Sequence, residues 1–343
     1  MTQSSTLMLR ETLDIPSAAE RLLTHGNDAI RDAAAALRTQ DPAFMTSVAR
    51  GSSDHVATYF KYVSELLLGV PVASVGPSVA SVYQRQLKLS GSACISISQS
   101  GKSPDIVAMA RAARSSGALS IAMTNNGDSE LAQVSEHVLN LHAGPEISVA
   151  ATKTFVNSAI SSVWLLAEFT QDKSLLAAIR NLPEVLEKSV QQDWSGFGEA
   201  IKRRQSLYCL GRGPSWAMAN EAALKFKEIC QLHAESYSSA EVLHGPVSLV
   251  DGGFPVLAMT AADAAEAVLV EVADEISALG GAVFVTSSRA QKASCLPVVR
   301  TGHFLTDPIA VIAGVYVMVE KIARAHGIDP DAPRHLKKIT ETV

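Results

Sequence analysis

The stretch Ala93–Ser103, ACISISQSGKS, is an apolar run that ends abruptly in small hydroxyl residues, a glutamine and a glycine. Cys94, Ile95 and Ile97 read as a short buried strand, and Pro104–Gly117 as the helix that follows it. The junction is therefore a strand-to-helix turn. Such a turn presents unpaired backbone N–H groups at the positive end of a helix dipole, and Ser98, Ser100 and Ser103 add hydroxyl donors without bulk. Taken alone, the stretch fits either a phosphate-binding loop or a helix cap that is rich in serine.

On both sides of it, short apolar runs alternate with helix-like segments. In the first half, strands are expected over Phe44–Ala49, Val70–Val75, Ala93–Ser98, Leu119–Thr124 and His137–Leu141. Helices are expected over Ser53–Leu68, around Val79–Leu87, and up to Ser116 and Val134, after a helical lead-in over residues 10–38. From Ala150 to about Ile201 the spacing is helical throughout. A second series then runs through Ser206–Leu210, a helix over Trp216–Leu232, a short Ser236–Ala240 segment, Phe254–Thr260, a helix to Leu279, Ala282–Thr286, Leu296–Thr301 and a helix over Asp307–His326. Short apolar strands alternating with helices predict an α/β chain of two tandem domains. Each would be a five-stranded parallel sheet with helices on both faces, doubly wound in the flavodoxin-like manner. The expected organisation is a lead-in over 1–38, a first domain over 39–170, a helical connection over 171–200, a second domain over 201–325 and a C-terminal tail over 326–343.

The two halves open alike. Val48-Ala-Arg-Gly51-Ser-Ser53 and Cys209-Leu-Gly211-Arg-Gly213-Pro-Ser215 each place a strand end, an Arg-Gly pair and a serine before a helix, as expected of an internal duplication. The duplication is unequal. Where the first half has Ser98-Gln99-Ser100-Gly101, the second has Met259-Thr260-Ala261-Ala262, without the glycine and most of the hydroxyls. A fold needs only a turn there, so a hydroxyl-rich loop in one copy alone favours the phosphate reading, and open α/β sheets bind ligands outside the carboxyl ends of their strands.

Composition excludes several classes of function. The 343 residues are 47% hydrophobic with a formal net charge of −5, and no Lys/Arg-rich block offers a footprint for nucleic acid. Cys94, Cys209, Cys230 and Cys295 are widely spaced, forming neither a disulfide framework nor a zinc motif, and read as buried thiols. The N-terminal MTQSSTLMLRETLDIP has no apolar signal core and no later run has membrane length, so a cytoplasmic protein with no membrane partner is expected.

Further motifs complete the pattern: Arg50-Gly-Ser-Ser53, Gly144-Pro-Glu-Ile-Ser-Val-Ala-Ala-Thr-Lys153, Glu221-Ala-Ala-Leu-Lys-Phe-Lys-Glu228, His233-Ala-Glu235, Glu241-Val-Leu-His-Gly-Pro246 and Pro333-Arg-His-Leu-Lys-Lys338. In number, order and spacing the chain resembles the sugar isomerase (SIS) domain family from about residue 10 onward, and most of all the isomerase part of the glutamine-fructose-6-phosphate aminotransferases. The resemblance implies that Ser53, Ser98, Gln99, Ser100 and Ser103 hold a sugar phosphate and that Val149 contacts the sugar. The next contact is a serine in the synthases and Ala151 here, so one hydroxyl is missing. It further implies that Glu228 moves a proton between C1 and C2, with Lys225 on the same helical face. His244 would open the sugar ring from the neighbouring subunit of a homodimer, and Lys338 would contact the open-chain sugar.

These residue types suit that chemistry. Imidazole titrates near neutrality and can shuttle a proton between the ring oxygen and the anomeric hydroxyl. A carboxylate serves C1/C2 proton transfer, and a cation such as Lys225 or Lys338 stabilises the enediol or enolamine charge. No metal or redox cofactor is expected. The chain begins within the isomerase-like part and has no cysteine before Cys94, so glutamine hydrolysis by an N-terminal cysteine is not expected. The favoured reaction is glucosamine 6-phosphate plus water to fructose 6-phosphate plus ammonia. Alternatives are a galactosamine-6-phosphate deaminase, a fructosamine-6-phosphate deglycase, synthesis from free ammonia, and a non-catalytic sugar-phosphate sensor. Lys102, where the synthases often carry an acidic residue, has no assigned role.

Overall fold

The structure, a computed structural model, describes residues 5–338. In chain order the first part runs α1 (Leu7–Leu13), α2 (Ile15–His25), α3 (Asn27–Gln40), β1 (Met45–Val48), α4 (Ser52–Leu68), β2 (Val72–Ser74), α5 (Ser78–Ser81), β3 (Ala93–Ile97), α6 (Pro104–Ser115), β4 (Leu119–Thr124), α7 (Glu130–Val134) and β5 (His137–Asn140). Then come α8 (Lys153–Thr170), α9 (Lys173–Arg180), α10 (Leu182–Ser189) and α11 (Ser195–Ile201). The remainder is β6 (Ser206–Gly211), α12 (Pro214–Cys230), β7 (His233–Ser238), two 3₁₀ turns at Glu241–His244 and Pro246–Leu249, β8 (Pro255–Ala258), α13 (Glu266–Ala278), β9 (Ala282–Val285), β10 (Ser294–Cys295) and α14 (Asp307–Ala325).

The strands form two five-stranded sheets, β2-β1-β3-β4-β5 and β10-β9-β8-β6-β7, with every pairing parallel. Renumbered from its own first strand, the second sheet has the order of the first, as the duplication predicts. Strands β1, β3 and β8 are buried along their whole length and β6 from Leu207 on, as expected of central strands in a doubly covered parallel sheet.

The chain divides into two compact units. The unit of the first sheet takes Ser17–Glu146, Lys153–Arg180 and, at the end of the described chain, Lys337 and Lys338. Its core joins Val48, Cys94, Ile106, Met109, Ala122 and Leu131, and α8, buried through most of its length, packs on α3 and α4. The unit of the second sheet takes residues 5–16, Ile147–Thr152 and Asn181–Leu336. Its core joins Tyr208, Leu210, Val256, Leu269, Ile276 and Val285, and its apolar α14 packs on α1, α10 and α12.

These units do not follow the linear boundaries expected from the sequence. Long-range polar contacts assign the exchanged pieces. Asp331 accepts the N–H groups of Leu7 and Met8 at 2.6 and 2.9 Å, Thr6 donates to Glu320 at 2.8 Å, and Glu11 binds the backbone of Ile147 and Ser148. Three local expectations also change. The helix around Val79–Leu87 is only the single turn α5, because Val82 and Tyr83 are exposed and Gln84 takes a positive φ of 50°. The strand expected at Leu296–Thr301 gives way to β10, since Pro297 cannot donate to a ladder and Arg300 and Thr301 turn to side-chain contacts. The segment expected at Ser236–Ala240 is the end of a longer strand: β7 starts at His233, pairs with β6 along its full length and stops at Ser238, with Ser239 and Ala240 in the turn beyond it. Cys94, Cys209 and Cys230 are buried, and burial pushes all three thiols up, Cys230 to about 12; Cys295 is exposed, contrary to expectation.

Candidate functional site

The carboxyl end of β3 runs into the loop Ser98–Ser103, and α6 starts at Pro104. The loop is fixed from within. Ser98 Oγ accepts the Gly101 N–H at 3.2 Å and Ser100 Oγ accepts the Lys102 N–H at 3.3 Å. The Gln99 carbonyl accepts from Thr124 Oγ1 at 3.3 Å and from the Asn125 N–H at 3.0 Å, while the Gly101 carbonyl accepts from Leu131 N–H at 3.0 Å. Gly101 sits at φ 64°, and a Cβ there would lie 2.1 Å from Ser129 Oγ, so both conformation and space demand glycine.

With the backbone held in this way, the Gln99 carboxamide and the Ser103 hydroxyl make no hydrogen bond among the described residues. The adjacent strand β1, in register with β3 up to Val48 and Ser96, ends in Arg50-Gly51-Ser52-Ser53. Gly51 turns the chain at φ 55°, ψ −132°, and Ser53 stands in the first turn of α4 with its hydroxyl also unengaged among the described residues. Arg50 Nη2 and Nε reach Asp105 Oδ2 at 2.6 and 2.8 Å, tying this turn to the start of α6; the Asp105 side chain is fully buried. That ion pair also offsets a carboxylate at a helix start where an anion would bind. In the same turn burial pushes the Asp54 carboxyl up, while His55 and Arg50 pull it down.

A cleft of about 300 Å³ opens beside the loop, lined by Gln99, Ser100, Lys102, Asn125, Glu146 and Lys338 among others. Lys338 Nζ lies 3.0 Å from Glu146 Oε2, so the structure brings the predicted C-terminal lysine to the predicted phosphate loop. Glu146 is buried and also accepts from Thr154 Oγ1 at 2.7 Å and Thr154 N–H at 3.1 Å. Asn125 holds the floor, accepting from Ala143 N–H and donating to the Gly144 carbonyl, both at 2.9 Å.

In the second-sheet unit, α12 carries Glu221, Lys225 and Glu228 on one face, the i, i+4 and i+7 positions of a helix. Lys225 Nζ donates to Glu228 Oε2 at 2.7 Å and lies 3.2 Å from Glu221 Oε1. Tyr316 OH on α14 donates to Glu221 Oε1 at 3.1 Å. Glu221 and Lys225 are sealed from solvent whereas the Glu228 side chain is 25% exposed, so the row leads from the core outward to one accessible carboxylate. Burial alone would push the Lys225 ammonium down, but Glu221 and Glu228 outweigh it and raise its pKa, so Lys225 stays a cation and not a base.

His244 closes the first 3₁₀ turn, exposed, with no partner among the described residues. Val149 and Ala151 lie half-buried in the Ile147–Thr152 segment, which the Glu11 carboxylate secures by accepting from the Ser148 backbone at 3.2 Å and from its hydroxyl. Thus Ser53, Ser98, Gln99, Ser100, Ser103 and Lys338 belong to one unit, and Val149, Ala151, Lys225, Glu228 and His244 to the other. Asp105, Glu11, Glu146 and Tyr316 received no role from the sequence. Glu221 could have been found there, because its spacing from Lys225 and Glu228 already places the three on one face. Among the described residues no group of three or more His, Cys, Asp or Glu could hold a metal ion, and no helix is long and apolar enough to cross a membrane.

Comparison with known proteins places this architecture. The SIS domain model matches residues 43–168 and 200–292, which hold every strand of both sheets except β10. The chain belongs to the SIS domain family. It is 33% identical over 296 residues to a glutamine-fructose-6-phosphate aminotransferase (isomerizing) of Sulfurisphaera tokodaii, covering 85% of this chain and 49% of that protein. The chain thus spans about half the length of the curated relatives it matches. Among solved structures, a Silicibacter pomeroyi protein provisionally named a phosphosugar isomerase is 58% identical with a TM-score of 0.93, covering 95% of this chain and all of that one. A glucosamine-6-phosphate deaminase from Thermotoga maritima, 20% identical over 98% of this SIS chain and 100% of its own, has a TM-score of 0.77 and shares the fold.

Proposed function

We propose that this SIS protein is an amino-sugar phosphate isomerase and deaminase that converts glucosamine 6-phosphate and water to fructose 6-phosphate and ammonia. The observation that carries the reading is the row Glu221–Lys225–Glu228: a buried ammonium, set between two carboxylates, that holds the accessible one at 2.7 Å. A fixed carboxylate beside a fixed cation is what proton transfer next to a carbonyl requires.

In this reading the loop around Ser98, Gln99, Ser100 and Ser103, with Ser53, holds the 6-phosphate through hydroxyl, amide and backbone N–H donors. His244 moves the anomeric hydroxyl proton to the ring oxygen, giving the open-chain aldehyde. Glu228 removes the C2 proton to form the enolamine and returns a proton to C1, leaving an iminium at C2. Water adds to C2, ammonia leaves, and the ketone of fructose 6-phosphate remains. Lys225 balances charge on the oxygen at C1, and Lys338, leaving Glu146, binds the open chain as the C-terminal tail closes over it. Val149 contacts the sugar; the methyl group of Ala151 withdraws one hydroxyl contact and favours, as a second reading, a related substrate such as galactosamine 6-phosphate or a fructosamine 6-phosphate. An exposed, unpartnered His244 suits donation to another copy in a homodimer.

The test supplies the purified protein with each of the three amino sugar phosphates and measures ammonia and ketose phosphate. Ammonia release in step with fructose 6-phosphate is expected from glucosamine 6-phosphate. No ammonia from any of the three would remove the deaminase reading, and glucosamine 6-phosphate formed only from fructose 6-phosphate and free ammonia would reverse its direction. Mixing Glu228→Gln and His244→Ala protomers should restore activity if His244 serves a neighbour.

A further inference from the structure

The cleft beside the Ser98–Ser103 loop contains three charged side chains among the described residues that line it: Lys102, Glu146 and Lys338. Two of them cancel, since the Lys338 ammonium lies 3.0 Å from the buried Glu146 carboxylate. Lys102 differs. Its backbone N–H is pinned to Ser100 Oγ at 3.3 Å, which fixes the root of the side chain, while the side chain is exposed and makes no ion pair among the described residues. It precedes the first turn of the twelve-residue helix α6, whose N-terminal dipole adds positive potential at the same place. The uncompensated charge of this cleft is therefore positive and resides on Lys102.

We propose that Lys102 is the cation that pairs with the phosphate dianion of the substrate and makes this loop selective for the doubly charged form. The proposal rests on the reading above only in taking a sugar phosphate monoester as ligand. Hydroxyl and N–H donors hold any tetrahedral oxyanion by shape, and they gain little from its second charge. An ammonium gains from each charge in turn, so it converts a shape site into one that senses ionisation. Phosphate monoesters take their second charge near pH 6, within reach of ordinary conditions. A division of labour follows: Lys102 serves the phosphate, which frees Lys338 to exchange Glu146 for the sugar.

The probe is sorbitol 6-phosphate, a monoester that has no carbonyl and cannot react. Its affinity is measured by titration calorimetry at pH 7.5 and 5.0 for the unaltered protein and for Lys102→Gln, Lys102→Arg and Lys102→Glu, with thermal unfolding as a check on folding. At pH 7.5 Lys102→Gln should bind about tenfold more weakly, Lys102→Glu weaker still, and Lys102→Arg nearly as well as the original. At pH 5.0 the gap between the original and Lys102→Gln should shrink, and since every other group of the cleft is common to both proteins, the change in that gap reads Lys102 against the charge of the phosphate. Equal affinity of Lys102→Gln and the original at pH 7.5, or an equal loss at both pH values, would overturn the proposal. If Lys102 governs dianion binding and yet no amino sugar phosphate releases ammonia, the functional reading falls while this one stands.

Discussion

The two sheets have the same strand order, and the loops after their third strands meet opposite fates. After β3, the N–H groups of Gly101 and Lys102 and the carbonyls of Gln99 and Gly101 are bonded within the unit, while the side chains of Gln99 and Ser103 are left without partners among the described residues. After β8, at Thr260–Ala262, the corresponding place is filled. The Arg300 guanidinium donates to the Thr260 carbonyl at 2.9 Å, Thr260 Oγ1 and the Thr286 carbonyl at 3.1 Å, and Glu266 at 2.9 Å; Asp307 adds the Ala262 N–H at 2.9 Å. One copy leaves polar side chains unengaged among the described residues and the other consumes its own on internal contacts.

The first helices of the two copies differ in the converse sense. α4 and α12 are both seventeen residues long, and both follow a glycine in the same strained conformation, Gly51 at φ 55°, ψ −132° and Gly213 at φ 57°, ψ −136°. Counted from those glycines, Glu221, Lys225 and Glu228 of α12 fall on Tyr59, Val63 and Leu66 of α4. The charged row in one copy is apolar in the other. Duplication has let each copy carry one polar feature that the fold itself does not need, and a fold built twice can lose each feature once.

Altering the charged row should have the largest effect. Lys225→Met leaves Glu221 buried without its cation and should cost about 3–5 kcal/mol in urea unfolding, whereas Glu221→Leu with Lys225→Met, which imitates the apolar row of α4, should recover most of that loss. An equal loss in the double variant would mean that the row is not an isolated charge pair. Next comes the filled loop: Arg300→Met takes the guanidinium from Asp307 and leaves Glu266 with only the more distant Arg289 as a cation, at 3.6 Å, and should cost about 2–3 kcal/mol of stability while leaving sugar-phosphate affinity unchanged. A change in affinity without a change in stability would contradict the assignment of that loop to structure. At the open loop, Gly101→Ala should displace Ser129 and cost about 1–3 kcal/mol, read mainly as a raised KM, because it distorts the cradle and spares Glu228. The smallest effect belongs to the helix ends. α4 is closed by Gly69 at φ 68° and α12 by Gln231 at φ 54°, so Gln231→Gly should raise stability by roughly 1 kcal/mol.

Much of this comparison is legible in the sequence. The succession of strands and helices in two parallel-sheet halves follows from apolar runs between helices, and the loop from the collision of Ile97 with Ser98-Gln-Ser-Gly101. The filled loop is not legible. Arg300 lies in a run whose apolar residues, Leu296, Val298 and Val299, read as a strand, and its partners Thr260 and Thr286 are far away in the chain, where no local period can register them. Lys338 shows the same limit: its charge near the end of the chain is evident, its partner Glu146 is not. Glu11 and Asp331 decide which unit takes the first helix, and both are ordinary acidic residues until the fold brings backbone N–H groups to them.

The central claim is that Glu228, and no group of the open loop, transfers the proton between C1 and C2. Hexose 6-phosphates incubated with the protein in D₂O, followed by NMR, read that step without requiring loss of ammonia. Deuterium should enter at C1 or C2 of glucosamine 6-phosphate or fructose 6-phosphate with the unaltered protein, continue with Arg300→Met, and slow by 10²–10⁴-fold with Glu228→Gln. Exchange undiminished in Glu228→Gln, or none with either sugar in the unaltered protein, would contradict it.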